Sequence, residues 1–233
     1  MKLKSLWRVA LAGWCLAAAL PGRAQTNPPN TLTDRERAEG WKLLFDGQTT
    51  EGWRGYKAKT FPAQGWEVRE GWLRKVANVN GGDIVSVDEY TDFELSWEWI
   101  IAPKGNNGVK YFITESSAGA VGHEYQMMDD MGEEGKHSTG SFYEVLPPAK
   151  GRPMKAAGQI NQSRILVRGD HVEHWLNGTK VLEYELGSPE VVQGVAASKF
   201  KGVQGFGLKR KGRILLTDHK DGAAFRNIKI RVL

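Results

Sequence analysis

Between positions 92 and 101 large apolar side chains fall on every second residue, with Phe93, Leu95, Trp97 and Trp99 set against Glu94, Ser96 and Glu98. Strand side chains alternate between two faces, so this run is a half-buried strand and cannot be an amphipathic helix. Comparable short runs recur along the chain. Strands are predicted over 41–45, 66–69, 72–76, 84–87, 109–115, 141–145, 164–168, 171–176, 180–186, 205–209, 213–217 and 224–232. Turn residues separate them, among them Asp46-Gly47, Glu70-Gly71, Gly105-Asn106-Asn107-Gly108, Gly169-Asp170 and Asn177-Gly178. Many short strands joined by tight turns make an all-β protein, an antiparallel two-sheet sandwich or a barrel.

Two helical signals interrupt the pattern. Thr33 stands three residues before Glu36, the spacing of a capping box, and opens a short charged turn that stops at Gly40. Ser188-Pro189-Glu190 is an N-cap followed by proline and an acid, and it opens a helix within 189–200 that ends before Gly202.

The N-terminus reads as an export signal. Lys2, Lys4 and Arg8 precede an apolar run over 9–20, and Gly22-Arg23-Ala24 offers a small-x-small cleavage site. The run is too short to span a bilayer, and Trp14 before Cys15 does not suit lipidation. The expected organisation is a signal over 1–24, a polar leader and short helix over 25–39, and one domain over 40–233. A secreted or periplasmic location follows from cleavage near Ala24. The leader, Gln25 to Thr31, reads as a flexible tether.

The chain carries 32 Lys and Arg against 27 Asp and Glu. Residues 1–24 hold four of those bases and no acid, so the mature chain balances at 28 against 27, a net +1. No basic stripe survives to attract nucleic acid or an anionic membrane. The single cysteine, Cys15, lies in the signal, so no disulfide staples the mature protein.

Ionisable and amide groups crowd most densely in Gly122-His123-Glu124-Tyr125-Gln126-Met127-Met128-Asp129-Asp130. On a strand Glu124, Gln126 and Met128 share one face, and His123, Tyr125, Met127 and Asp129 share the other. The first set suits a wet, ligand-facing groove, although a solvated strand would also alternate in this way. Among the five histidines, His123 and His219 each have an acidic neighbour able to orient or ionise the ring. His171 and His174 lie three apart and face opposite ways on a strand, so their spacing makes no zinc site. There is no Gly-x-Ser-x-Gly elbow and no phosphate-cradling glycine loop.

An ordered set of short motifs resembles the 3-keto-disaccharide hydrolase family. It comprises Gly40-Trp41-Lys42-Leu43-Leu44-Phe45-Asp46-Gly47, Gly52-Trp53, Asn106-Asn107-Gly108-Val109-Lys110-Tyr111-Phe112, His123 to Asp129, His174-Trp175-Leu176-Asn177-Gly178, Asp218-His219 and Phe225-Arg226-Asn227-Ile228-Lys229-Ile230. Two positions depart from the family pattern: Thr217 stands where glutamine is expected before Asp-His, and Lys220-Asp221 follows where glycine is usual. The resemblance implies a concanavalin A-like jelly roll, a carbohydrate substrate, and cleavage of glycosides already oxidised at C3.

A C3 ketone makes the C2 hydrogen acidic and places the C1 substituent β to the carbonyl, so one base can begin an elimination and water can then add back. Glu124, His123 and His219 are candidates for base and acid. Lys110, Gln126 and Asn107 are candidates to hold the enolate or sugar hydroxyls, and Asp129, Tyr143 and Asp218 complete the substrate-binding set. These residues single out no particular cofactor, and a divalent cation at the enolate is compatible with the scheme. The rival reading is a non-catalytic, lectin-like module, which would show exposed aromatics without clustered ionisable groups.

Overall fold

The computed structural model describes residues 27–116 and 119–233, so the predicted export signal lies outside the described residues. Thirteen strands and two helices are present among them. The helices are α1 (Asp34–Ala38) and α2 (Pro189–Ala196). The strands run β1 (Lys42–Leu43), β2 (Trp53–Gly55), β3 (Trp66–Arg69), β4 (Trp72–Lys75), β5 (Ile84–Ser86), β6 (Phe93–Ile101), β7 (Asn106–Ile113), β8 (His123–Met128), β9 (Asn161–Arg168), β10 (His171–Leu176), β11 (Thr179–Glu185), β12 (Arg213–Leu216) and β13 (Ala223–Val232).

They form two antiparallel sheets. The larger has eight strands in the order β11-β10-β9-β6-β13-β4-β3, with β1 joining on β13, and the smaller has five in the order β2-β5-β12-β7-β8. The expected all-β sandwich is thus the observed one. Alternation decides what lies between the sheets: Phe93, Leu95, Trp97, Trp99 and Ile101 of β6 are all at most 1% exposed. On the other side of β6, Glu94 sits between Arg164 and Arg231, and Glu98 pairs with Arg226.

The register of the small sheet is set by polar groups that cross the core. Trp99 Nε1 donates to Ser163 Oγ at 2.8 Å, Ser163 Oγ donates to Tyr125 Oη at 2.9 Å, and Tyr125 Oη donates to the Trp175 carbonyl at 3.1 Å. Tyr111 Oη meets His174 Nε2 at 3.1 Å. A buried polar group left unpaired costs about 1–3 kcal/mol, and a one-residue slip of β7 or β8 would break these bonds and exchange the strand's two faces. Tyr111 and Tyr125 therefore face inward, and their neighbours Lys110 and Glu124 face outward.

Several local expectations are corrected. Asn106, Asn107 and Gly108 belong to β7 rather than to a turn, because Asn107 bonds sideways to Thr217, just past the end of the neighbouring β12. Residues 205–209 form a turn and irregular backbone in place of a strand, with Gly205 and Gly207 at φ +69 and +85. Residues 141–146 make isolated bridges around Phe142 in place of a strand. The leader is anchored at Asn30, which is 7% exposed, accepts from Asn227 N at 2.8 Å and donates to the Gly71 carbonyl at 2.9 Å.

Two histidines lie in the core. His174 Nδ1 donates to the Gly140 carbonyl at 3.0 Å, and His123 Nε2 accepts from Gly207 N at 3.1 Å. Burial disfavours their charged forms, holding His174 at about 4 and His123 at about 3. Both lie below the ordinary value of 6.5, so the unfolded chain binds more protons than the folded one once the pH falls under 6.5. The stabilisation from keeping these rings neutral is present above that pH and is lost as the pH drops toward 4 and then 3. The loss is roughly 1.4 kcal/mol per pH unit for each ring, or about 4 kcal/mol for the pair by about pH 5. Denaturant titrations at about pH 7 and pH 5 should show this fall. Equal midpoints at the two pH values would contradict the assignment.

Candidate active site

The outer face of the small sheet carries two rows of side chains. Cross-strand pairing aligns Arg54, Val85, Leu215, Lys110 and Glu124 as one row. Two residues along, Thr217 N donates to the Gly108 carbonyl, and Gly108 pairs with Gln126. Asp83, immediately before β5, sits at the end of this second row, where its Oδ1 accepts from Asp218 N at 2.7 Å.

Glu124 is the centre of the arrangement. Its side chain is 12% exposed, and its Oε2 lies 3.8 Å from Lys110 Nζ, which also donates to the Ala120 carbonyl at 3.4 Å. The carboxylate leans across Gly108, where a Cβ would stand only 2.1 Å from Glu124 Oε1. Glycine at 108 is thus a requirement of space for the acid. Burial raises the Glu124 pKa above the ordinary carboxylate value, and the positive charges of Lys110, Lys199 and His219 oppose that rise. A carboxylate whose pKa is raised by burial and that stands beside an ammonium suits a general base.

Tyr143 and His219 complete the surroundings. Tyr143 N donates to the Glu124 carbonyl at 3.0 Å, and Lys199 Nζ lies 4.4 Å from the centre of the Tyr143 ring. His219 is exposed, and its Nδ1 lies 3.2 Å from Asp221 Oδ2. The glycine usual at this loop in the family is thus replaced by residues that hold His219. Thr217, standing where glutamine is expected, turns its hydroxyl downward: Oγ1 donates to Asn107 Oδ1 at 3.1 Å and accepts from Gly108 N at 2.9 Å.

Other sequence candidates lie elsewhere. His123 is buried among Tyr111, Phe112, Phe142 and Phe206 on the core side of β8, opposite Glu124. A neutral ring in that position has no access to a ligand on the outer face, so it is a packing residue. Asn107 is 1% exposed and spends its amide on Thr217 and Gly108. Asp129 Oδ2 accepts from Lys104 N at 2.8 Å and fastens the turn before β7. Asp218 is a buried clamp, 2.8 Å from Lys75 Nζ and bonded to the amides of Gly81 and Gly82. Gln126 shares Glu124's face but is 1% exposed, and its Nε2 supports Asn106 Oδ1 at 2.9 Å. It shapes the floor beneath the ligand side.

Two residues escaped the sequence reading. Lys199 follows α2, and no motif marks it. Asp83 follows Gly81-Gly82, a pair that reads only as a turn. As for a cation, among the described residues His171, Glu173 and Glu183 are close enough to share one. They belong to β10 and β11 of the large sheet, and Lys180 Nζ already bonds both carboxylates.

Residues 40–231 match the model of the 3-keto-alpha-glucoside-1,2-lyase-like domain. The chain belongs to that family. It is 30% identical to a 3-keto-disaccharide hydrolase of Bacteroides thetaiotaomicron, over 84% of this chain and 79% of that protein. A crystal structure from Parabacteroides distasonis, provisionally described as a glycosyl hydrolase, superposes with a TM-score of 0.79 at 31% identity, covering 88% of this chain and 100% of that one. The Bacillus licheniformis β-glucanase, at 10% identity and a TM-score of 0.50 over 83% of this chain and 97% of its own, shares the fold alone, the jelly roll. Kinship with the first two supports a glycoside-cleaving role for the family member described here.

Proposed function

We propose that the protein acts after export on 3-keto-glycosides, 3-keto-disaccharides among them, and cleaves the bond at C1 by elimination followed by hydration. Glu124 removes the C2 proton, Lys110 holds the enolate oxygen that forms at C3, and water then adds to C1 to give net hydrolysis. The observation that carries this reading is the part-buried Glu124 carboxylate 3.8 Å from the Lys110 ammonium on the outer face of the small sheet. A cation and a base side by side match a reaction in which negative charge passes from the base to an oxyanion, because fixed charges in a dry site stabilise developing charge without reorganising.

Simple hydrolysis requires two carboxyls set across an unactivated bond. The ketone removes that demand for the first step, since a single base suffices to start it. The lectin-like alternative calls for an aromatic platform. Among the described residues no Trp, Tyr or Phe is exposed, so that reading has less support.

Incubating the protein with a 3-keto-disaccharide in deuterated water tests the proposal. The released 3-keto-glucose should carry deuterium at C2 by NMR, and the unoxidised disaccharide should remain intact. Cleavage without C2 deuterium would replace this scheme by direct hydrolysis, and glycan binding without cleavage would favour the lectin.

A further inference from the structure

An elimination needs somewhere for the leaving oxygen to obtain a proton, and a donor set apart from Glu124 can supply it while Glu124 is still engaged at C2. The outer face offers a second carboxyl. Asp83 lies in the row of Thr217 and Gly108, and Glu124 reaches across Gly108 from the neighbouring strand. Asp83 and Gly108 are separated by two strand spacings, about 10 Å between backbones. A sugar ring laid along this row would have Glu124 at one end and Asp83 at the other.

Asp83 is also held in place. Asp218 N donates to its Oδ1, Asp218 itself is bonded to Gly81 and Gly82, and among the described residues Asp83 Oδ2 has no hydrogen-bond partner. Burial raises the Asp83 pKa, with Lys110 opposing, while Glu124 has the direct ion pair with that lysine. Two carboxyls in unequal surroundings divide into one acid and one base. Asp83 further lines a cavity of about 390 Å³ walled by Tyr56, Phe61, Pro62 and Ala63. The volume falls within the range of small-ligand sites, roughly 300–1,000 Å³, and apolar walls beside one polar group are their usual lining.

Building on the function proposed above, we propose that Asp83 is the general acid of the site and that the Tyr56–Phe61–Pro62 cavity receives the departing sugar of a keto-disaccharide. The steps balance. Glu124 takes the C2 proton, the electrons of that C–H bond form the enolate, the C1–O bond breaks toward the leaving oxygen, and Asp83 gives that oxygen its proton. The product is an unsaturated 3-keto sugar with a C1–C2 double bond and a free alcohol. In hydration the Asp83 carboxylate takes a proton from water as the oxygen bonds to C1, and Glu124 returns its proton to C2. Both carboxyls end as they began.

The test compares leaving groups. Asp83→Asn keeps an oxygen to accept from Asp218 N and removes the acid. It should slow release of a sugar from a 3-keto-disaccharide by roughly 10²–10³-fold, because a poor leaving group needs the proton. Release of 4-nitrophenol from its 3-keto-glucoside, which needs no such help, should fall by less than about tenfold. The D83N protein should still exchange C2 hydrogen of the unreacted disaccharide in deuterated water. If D83N does not fold, Asp83→Glu, which keeps an acid but displaces it, should show the same leaving-group split in milder form. Equal losses on both substrates, or no loss on either, would overturn the assignment of Asp83 while leaving the function standing. If the wild-type protein cleaves neither keto substrate, the function proposed above fails first and takes this inference with it.

Discussion

Glu124→Gln should lower turnover of a 3-keto-glucoside by roughly 10²–10⁴-fold, the usual contribution of a positioned general base, while the protein stays folded. Glutamine fills the same space over Gly108 and removes only the charge that faces Lys110. Deuterium uptake at C2 should vanish together with cleavage, because both begin with the same proton transfer. In the wild-type protein activity should rise with pH through a limb placed above the ordinary carboxylate range, since burial raises the Glu124 pKa. That limb should be missing from the residual activity of E124Q. A variant that retains turnover within about tenfold of wild type would remove Glu124 from the chemistry.

The second large effect concerns stability. Asp218→Ala should destabilise the protein by about 3–5 kcal/mol, the range for breaking a buried ion pair and stranding its partner. Lys75 is fully buried, and Asp218 lies 2.8 Å from its ammonium. Lys75 Nζ also donates to the carbonyls of Val76 and Val79, so every proton is used and none can reach water. Burial lowers the Lys75 pKa, with the charge of Asp221 opposing, and losing Asp218 removes the carboxylate in direct contact with this ammonium. At roughly 2–4 °C per kcal/mol for a chain of this size, the thermal midpoint should drop by about 10 °C. Replacing both residues by apolar ones, Lys75→Met with Asp218→Leu, should recover much of the loss, since no charge is then left unpaired. Activity should not return with stability, because the Asp218 carboxylate also holds the amides of Gly81 and Gly82, the two residues that lead into Asp83. A D218A protein within about 1 kcal/mol of wild type would show that the pair contributes little.

Asp218 also illustrates how motif membership misleads. It is part of the Asp-His pair that carries the family resemblance, and an acid beside a histidine suggests a working couple. In the folded protein the pair divides: Asp218 turns inward to Lys75, and His219 turns outward to Asp221. Both stand just past the end of β12, where adjacency in sequence does not bring their side chains to one partner. Which one would face the ligand depended on the sheet to which β12 belongs.

The amino-acid sequence by itself determined the β architecture, because a period of two is a local property written in Phe93, Leu95, Trp97 and Trp99. It also determined the capping box at Thr33, where Glu36 Oε2 accepts from Thr33 N at 2.7 Å and Glu36 N donates to Thr33 Oγ1 at 3.1 Å. Alternation placed Glu124 and Gln126 together and apart from His123 and Tyr125, as the strand shows. It could not say which face was wet. Cross-core bonds to Tyr111 and Tyr125 decided that, and they turned His123 into a packing residue. Asp83 was illegible for a related reason: its relation to Glu124 runs through β12 and β7 by three strand pairings, two of them between segments distant in sequence. Local pattern sets which residues share a face, whereas only the packing of one sheet on the other decides which face closes into the core and which carries the chemistry.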